Sequence, residues 1–225
     1  MVDLKEFEQK AADLRVLGMK ISIGQDTVYE KYWDEDCRRN IYSASKSFTS
    51  CAVGFAVQEG LIDLDERLMD AFKEDIPNNP DENLKKATVK DLLTMTLGQE
   101  KGFLMGKQRP RMEEQNWVKA SLAIPFVYEP GTHFVYNNVG PYLAGILVQR
   151  RAGCDLLSYL TPAFKTFGNT KSHMGGRPEE IHLVRADCSD CFELHKLGMF
   201  YLQNGCWNGK AVLNGSMRVP ENRWK

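Results

Sequence analysis

An apolar helical run that follows a serine and a lysine is the feature that most constrains how this chain can fold. Apolar residues recur there at helical spacing and widen the stripe to most of the circumference: Phe48, Cys51, Ala52, Val53, Phe55, Ala56 and Val57. A helix that is apolar on most of its surface has to be buried. We therefore predict a central helix that Gly60 ends.

Ser43 and Lys46 stand three residues apart where this helix begins. Side chains at i and i+3 share one face of a helix, so the Lys46 ammonium is expected beside the Ser43 hydroxyl. A serine hydroxyl is a weak nucleophile until a neighbouring base takes its proton, and a nearby lysine can assist that step. The positive end of the helix favours an oxyanion at the serine. Ser43 is therefore the candidate nucleophile.

The Ser-x-x-Lys spacing alone has a second interpretation, because serine is a common N-cap residue and the pattern also occurs by chance. A second stretch, Tyr136-Asn137-Asn138, follows later in the chain. Taken alone, Tyr136 is better interpreted as a buried aromatic residue with a satisfied hydroxyl. The functional interpretation rests on both stretches and on their order.

Together the two stretches resemble the serine β-lactamase and penicillin-binding protein superfamily, in particular the branch of class C β-lactamases, D-alanyl-D-alanine carboxypeptidases and related esterases. In that branch Ser-x-x-Lys is followed by Tyr-x-Asn, matched here by Ser43 with Lys46 and by Tyr136 with Asn138. Further stretches in family order add to the resemblance: Asp91-Leu92-Leu93-Thr94-Met95-Thr96 and Glu129-Pro130-Gly131.

The resemblance implies an α/β (α+β) fold, in which helices flank an antiparallel sheet that is joined to a helical portion. It implies one β-lactamase-like domain over residues 1–225, with the helical portion at about 61–200. Ser43 would attack an ester, amide or β-lactam carbonyl and form an acyl-enzyme. Lys46 and Tyr136 would handle the proton, and Asn138 would orient the substrate amide and the lysine. Neither a cofactor nor a metal is expected.

The third motif of the family, Lys-Thr-Gly or His-x-Gly on a C-terminal strand, is not found after Leu213. His173-Met174-Gly175 imitates it, but the glycine-rich surroundings predict a loop. We therefore expect the domain to lack its C-terminal strands and one oxyanion donor, with turnover reduced by about 10²–10³-fold. The alternative to an active serine hydrolase is an impaired or binding-only relative, or a fragment.

The N-terminal region is predicted to form a helix that packs on a hairpin. Asp3 and Glu6 make a capping pair for apolar residues at helical spacing. Met19, Ile21 and Ile23 then alternate, Gly24-Gln25-Asp26 supplies a turn, and residues 27–33 are rich in β-branched and aromatic side chains, as in a β-hairpin. An isolated hairpin has an open edge, so we expect self-association through residues 19–33.

Helical spacing and capping residues predict the rest of the secondary structure. Thr88 and Asp91 cap a helix through Met95, further helices lie at 117–123, 143–147, 156–164 and 189–202, and residues 211–213 are extended. A long loop runs from Leu97 to about Met112 and lines the substrate cleft in the family. Gln99, at its start, either contacts the acyl group or faces solvent.

Composition narrows the possible partners. The formal net charge is -1 and residues of both signs are interspersed, so the sequence shows no basic stretch that would bind nucleic acid or an anionic membrane. The N-terminus lacks the features of a signal peptide and no apolar run reaches membrane-spanning length, so a cytoplasmic location is expected. The expected partner is a small-molecule substrate.

The six cysteines are scattered and are expected to be reduced thiols. Cys188-x-x-Cys191 lies near His182 and His195, which could suggest a metal site. The spacing fits no common zinc pattern, so we favour two helical cysteines.

Overall fold

The computed structural model describes residues 4–35, 39–106, 108–166, 173–174, 186–188 and 191–213. The chain divides into two compact units. The hairpin unit combines residues 1–42, 161–175 and 185–225, and the helical unit combines 43–160 and 176–184. The organisation as a single domain stays a prediction.

The described residues contain helices of 4 to 14 residues: α1 Lys5–Ala11, α2 Ser45–Gln58, α3 Leu68–Ala71, α4 Glu82–Lys86, α5 Val89–Thr94, α6 Trp117–Leu122, α7 Val139–Ala152, α8 Leu156–Thr166 and α9 Cys191–Leu202. The strands are shorter: β1 Gly18–Ile23, β2 Asp26–Tyr32, β3 Arg39–Asn40, β4 His173–Met174, β5 Ala186–Cys188, β6 Cys206–Trp207 and β7 Lys210–Ala211. None of the helices in this part of the chain has the length and apolar character needed to cross a membrane.

The predicted hairpin is present as the antiparallel pair β1 and β2. Gly24 adopts a φ of 60° at the first position of its two-residue turn, where a type II′ turn favours glycine. As predicted, α1 packs on this hairpin: the Phe7 ring meets Trp33 edge-on at 5.9 Å between centroids. Asp3 of the predicted capping pair lies outside the described residues, and self-association through residues 19–33 stays a prediction.

Strands β3, β4 and β5 of the hairpin unit were not predicted. β3, β5 and β4 form a small antiparallel sheet in that order. The loop predicted at His173 is therefore wrong, because His173–Met174 is β4; Gly175 lies outside the described residues. The helical assignment of Cys188 is also wrong, because that residue lies in β5. Strands of two or three residues are too short to show an alternating pattern, so pairing with another segment determines whether they form.

A second short hairpin, β6 with β7, was not predicted; it overlaps the predicted extended piece 211–213 only at Ala211. Its turn residues Asn208 and Gly209 have φ values of 48° and 75°. Two left-handed residues in a two-residue loop are the type I′ turn, and Asn-Gly is its strongest sequence signal. That signal could have revealed this hairpin.

In the helical unit, the predicted central helix is α2, and α7 packs against it. Every residue of α7 from Val139 to Val148 is buried, and most of α2 is buried as well. Glycines let the helices approach closely. A Cβ at Gly145 would lie 3.7 Å from the Thr49 side chain on α2. A Cβ at Gly140 would lie only 2.2 Å from the Leu92 carbonyl oxygen on α5.

The two glycines predict opposite responses to alanine. Gly140→Ala forces a methyl group against rigid backbone, so we expect it to lower the free energy of unfolding by about 1–3 kcal/mol. Gly145→Ala adds only ordinary contacts and removes a flexible residue from a helix, so it is expected to be neutral or to stabilise by up to about 1 kcal/mol. Urea unfolding of both variants measures the difference. Equal stabilities would contradict the close α5–α7 approach.

The connections of the helical unit follow the predicted signals. The Asp91 carboxylate accepts hydrogen bonds from the Thr88 backbone N–H at 2.9 Å and from its hydroxyl at 2.8 Å, which confirms the predicted cap of α5. The turn after Pro130 has Gly131 at a φ of 82°. The loop predicted from Leu97 to about Met112 is present in part: the described residues of 97–108 contain no helix or strand, but a 3-10 helix lies within the predicted range at Arg109–Arg111.

Candidate active site

Ser43 lies in a 3-10 turn, Tyr42–Ala44, that leads directly into α2. The prediction that Ser43 itself opens the α-helix is off by two residues, since α2 begins at Ser45. Tyr42 has a φ of 47°, in the left-handed region, and so redirects the chain immediately before the serine. Ser43 is exposed while Ser45 is buried, which presents the Ser43 hydroxyl to solvent at the end of a rigid helix.

Lys46 lies one turn further along, where the i, i+3 spacing predicted it. Its Nζ donates a hydrogen bond to Ser43 Oγ at 3.2 Å. The same Nζ lies 5.3 Å from the centroid of the Tyr136 ring. Lys46 thus places a cation against both the serine hydroxyl and the tyrosine.

Tyr136 reaches the same hydroxyl from a segment 93 residues away in sequence, with its Oη donating to Ser43 Oγ at 2.6 Å. Tyr136 is 45% exposed, so the alternative of a buried aromatic residue is wrong. The hydrogen bond with Ser43 and, after it, the positive charge of Lys46 hold the pKa of Tyr136 below its ordinary value of 10.0, against the opposing effect of burial. The phenolate form is therefore easier to reach than in a free tyrosine.

The backbone around Tyr136 packs against the long loop and bonds the end of α5. A Cβ at Gly102 would lie 2.7 Å from the Tyr136 carbonyl oxygen, so only glycine fits there without a shift. The backbone N–H of Asn138 donates to the Phe103 carbonyl at 3.2 Å, and that of Val135 donates to the Met95 carbonyl at 3.0 Å.

Asn138 is only 8% exposed and also contacts this loop. Its Nδ2 donates to the Leu104 carbonyl at 2.9 Å and approaches the Met105 sulfur at 3.5 Å. Leu104 is a buried residue with a φ of 56°, so the loop is locally strained where it accepts this bond. Among the described residues, no hydrogen bond joins Asn138 to Lys46, and its predicted role toward lysine and substrate stays a prediction.

Gln99 does not face solvent, so that alternative is wrong. Its side chain is 1% exposed, and Nε2 donates to the Ser121 carbonyl at 2.9 Å. This bond ties the start of the long loop to α6. Contact of Gln99 with a substrate acyl group stays a prediction.

Asn137, the middle residue of the Tyr-x-Asn motif, was missed by sequence reasoning. It is 1% exposed, and its side-chain amide bonds the backbone of Val135 and of Gly140. The available signal was its place just before a helix, where asparagine is a favoured capping residue.

The groups that converge on the Ser43 hydroxyl are the Lys46 ammonium and the Tyr136 phenol, and neither is a usual metal ligand. Within the described ranges, no group of three or more His, Cys, Asp and Glu side chains is arranged to hold a metal ion. His182 of the metal alternative lies outside those ranges. The arrangement around Ser43 can place two proton carriers on one hydroxyl oxygen.

Comparison with known proteins gives relatives of greater length. An uncharacterised protein of Alkalihalophilus pseudofirmus is 23% identical over 218 residues, covering 83% of this chain and 58% of that protein. A Bacteroides dorei structure provisionally assigned as a β-lactamase has a TM-score of 0.77 at 15% identity, covering 96% of this chain and 68% of the other. A Bacillus anthracis structure provisionally assigned as a 6-aminohexanoate-dimer hydrolase has a TM-score of 0.75 at 20% identity, covering 94% and 60%.

These structures share the fold of this chain, which confirms the predicted β-lactamase-like fold class of helices with a small antiparallel sheet. The chain spans less than two thirds of the length of the curated relative. The model of the β-lactamase family matches residues 5–181, which is most of the sequence. The resemblance drawn from the two motifs is thereby confirmed, and this chain belongs to the β-lactamase family.

Proposed function

We propose that this protein is a serine hydrolase that forms an acyl-enzyme on Ser43 with an ester, amide or β-lactam substrate. One observation carries the proposal: Lys46 Nζ and Tyr136 Oη both lie within hydrogen-bond distance of the exposed Ser43 Oγ. Nucleophilic catalysis by serine needs such a partner to remove the proton. Family membership supports the hydrolase class.

In the proposed acylation step, Ser43 Oγ attacks the carbonyl carbon and forms the new O–C bond. The Oγ proton passes to the Tyr136 phenolate, which Lys46 stabilises by its charge. Collapse of the tetrahedral intermediate breaks the bond to the leaving group, and the leaving group takes that proton from Tyr136. An ester leaves an alcohol and an amide leaves an amine.

In the proposed deacylation step, a water molecule attacks the acyl carbonyl. Tyr136 takes the proton of the water and returns it to Ser43 Oγ as the ester bond breaks, which releases the acid and restores the enzyme. The Ser43 backbone N–H, at the start of the turn before α2, would be one donor to the oxyanion.

Covalent labelling tests this function directly. We expect the 225-residue chain to gain the mass of one fluorophosphonate adduct by intact-mass analysis, with peptide mapping to Ser43. Hydrolysis of a small ester or a chromogenic β-lactam then separates an active hydrolase from a binding-only relative. A folded chain that takes up no probe would contradict the proposed nucleophile.

The pH dependence of labelling tests the role of Tyr136. The proposed base is the phenolate, so the labelling rate should rise as pH rises through the Tyr136 pKa. Because that pKa is held below 10.0, the rise should be complete at a lower pH than for an ordinary tyrosine. The rate of adduct formation across a pH series measures this. The pH-dependent step should disappear in Tyr136→Phe, and its survival there would assign it to another group.

A further inference from the structure

Tyr136 stands in a part of the backbone that no regular secondary structure fixes. Residues 133–137 belong to neither a helix nor a strand. Packing holds the ring only in part, since it is 45% exposed. Its Oη nevertheless lies 2.6 Å from Ser43 Oγ. Something other than strand pairing or core packing must hold the tyrosine at this distance.

The buried side chain of Asn137 bonds the backbone on both sides of Tyr136. Its Nδ2 donates to the Val135 carbonyl at 2.8 Å, one residue before Tyr136. Its Oδ1 accepts from the Gly140 backbone N–H at 2.9 Å, in the first turn of α7. One buried amide thus joins the residue before Tyr136 to the helix after it.

The helix end of this link is rigid. Gly140 packs against the Leu92 carbonyl so closely that a Cβ would not fit, and the ten residues from Val139 to Val148 are all buried. The first N–H groups of a helix lack partners within the helix, so Asn137 also satisfies a donor that would otherwise be orphaned. The Asn137 amide therefore fixes the backbone beside Tyr136 relative to the buried start of α7.

We propose that Asn137 is a positioning residue that holds Tyr136 Oη in reach of Ser43 Oγ. This inference rests on the proposed function, because Tyr136 must be the proton carrier for its position to matter. The Asn137 side chain bonds the backbone on both sides of Tyr136, so it would act through the tyrosine. Among the described residues, the charged group that faces Tyr136 is Lys46 on α2, whose Nζ lies 5.3 Å from the ring centroid.

Asn137→Ala tests the proposal. A misplacement of a catalytic group by about 1 Å can cost about 10²-fold in rate. We expect the second-order rate of fluorophosphonate labelling at Ser43 to fall by about 10²-fold in this variant. The pH-dependent step should also move upward, toward the ordinary tyrosine value, because the hydrogen bond with Ser43 is loosened. Asn137→Ser keeps a group that can donate and accept, and should recover part of the rate.

Asn116→Ala is the matched control, because Asn116 is another helix-capping asparagine. Its Oδ1 accepts from the backbone N–H groups of Val118 and Lys119 at 3.0 and 3.1 Å. Its Nδ2 donates to Asp75 at 2.9 Å. This variant should lose a comparable amount of thermal stability while labelling at the wild-type rate with the wild-type pH profile.

Wild-type labelling with an unchanged rate and pH profile in Asn137→Ala would overturn the positioning role. An equal loss of rate in Asn116→Ala, at the same interval below each melting temperature, would also overturn it by making the effect one of general stability. If Asn137→Ala does not fold, Asn137→Ser compared with wild type decides between the same outcomes. Failure of the proposed function is distinct, because the wild-type chain itself would then take up no probe.

Discussion

Replacing Ser43 by alanine should abolish covalent labelling of this protein by fluorophosphonate and β-lactam probes. The reason is that the Ser43 hydroxyl is the group on which Lys46 Nζ and Tyr136 Oη both converge, at 3.2 and 2.6 Å. Without the hydroxyl, the two proton carriers have no nucleophile to activate. Intact-mass analysis after incubation with probe measures the result, since a single adduct changes the mass of the whole chain.

The fold should survive this substitution, because Ser43 is exposed and lies in a turn before α2. Ser47→Ala is the matched control: Ser47 is another exposed serine of the same region, and its loss should leave labelling unchanged. Labelling that persists in Ser43→Ala would assign the nucleophile to another residue. A large drop in melting temperature would instead mean that the serine is structural.

Replacing Tyr136 by phenylalanine should slow acyl transfer by about 10²–10⁴-fold, the usual cost of removing a general acid or base. The ring still fills its site and keeps its contact with the Lys46 ammonium, whose Nζ lies 5.3 Å from the ring centroid. The melting temperature should therefore change little. The labelling rate of Ser43 and a thermal melt of the same sample give both quantities.

Tyr142→Phe provides the comparison for a tyrosine whose role is structural. Tyr142 is buried in α7 near Trp117, and burial raises its pKa to about 12. Its loss should leave the labelling rate unchanged. If Tyr136→Phe lowers activity and melting temperature together, as a structural defect would, the proposed role of Tyr136 in proton transfer is contradicted.

Patterns within a short stretch of sequence predicted most of the helices, the first hairpin and the cap of α5, because these elements depend on residues that are close in sequence. The apolar stripe of α2 appears in the sequence because the helical period sets which side chains are buried. The hairpin of β1 and β2 was predicted from its turn and its strand-forming residues. The cap of α5 was predicted from the spacing of Thr88 and Asp91. The pairing of β4 with β5 could not be predicted, because it joins segments too short to show a period and depends on contacts that are distant in sequence.

The site divides in the same way. The contact of Lys46 with Ser43 follows from helical spacing, whereas that of Tyr136 with Ser43 spans 93 residues and was reached only through the motif. The partner of the Asn138 amide is the backbone carbonyl of Leu104, and a carbonyl group carries no sequence signal. Gln99 was misjudged because a polar side chain in a loop can be buried when it bonds a neighbouring backbone, as it does with Ser121.

The bonding of the long loop to the tyrosine segment has a consequence for motion. Gly102 abuts the Tyr136 carbonyl oxygen, and the Asn138 backbone and side chain bond the carbonyls of Phe103 and Leu104. An opening of this loop would have to break buried hydrogen bonds or carry the tyrosine away with it. Because Asn137 also bonds the tyrosine segment to the first turn of α7, a loop that opened together with Tyr136 would have to break that bond as well, so these contacts together oppose opening of the loop.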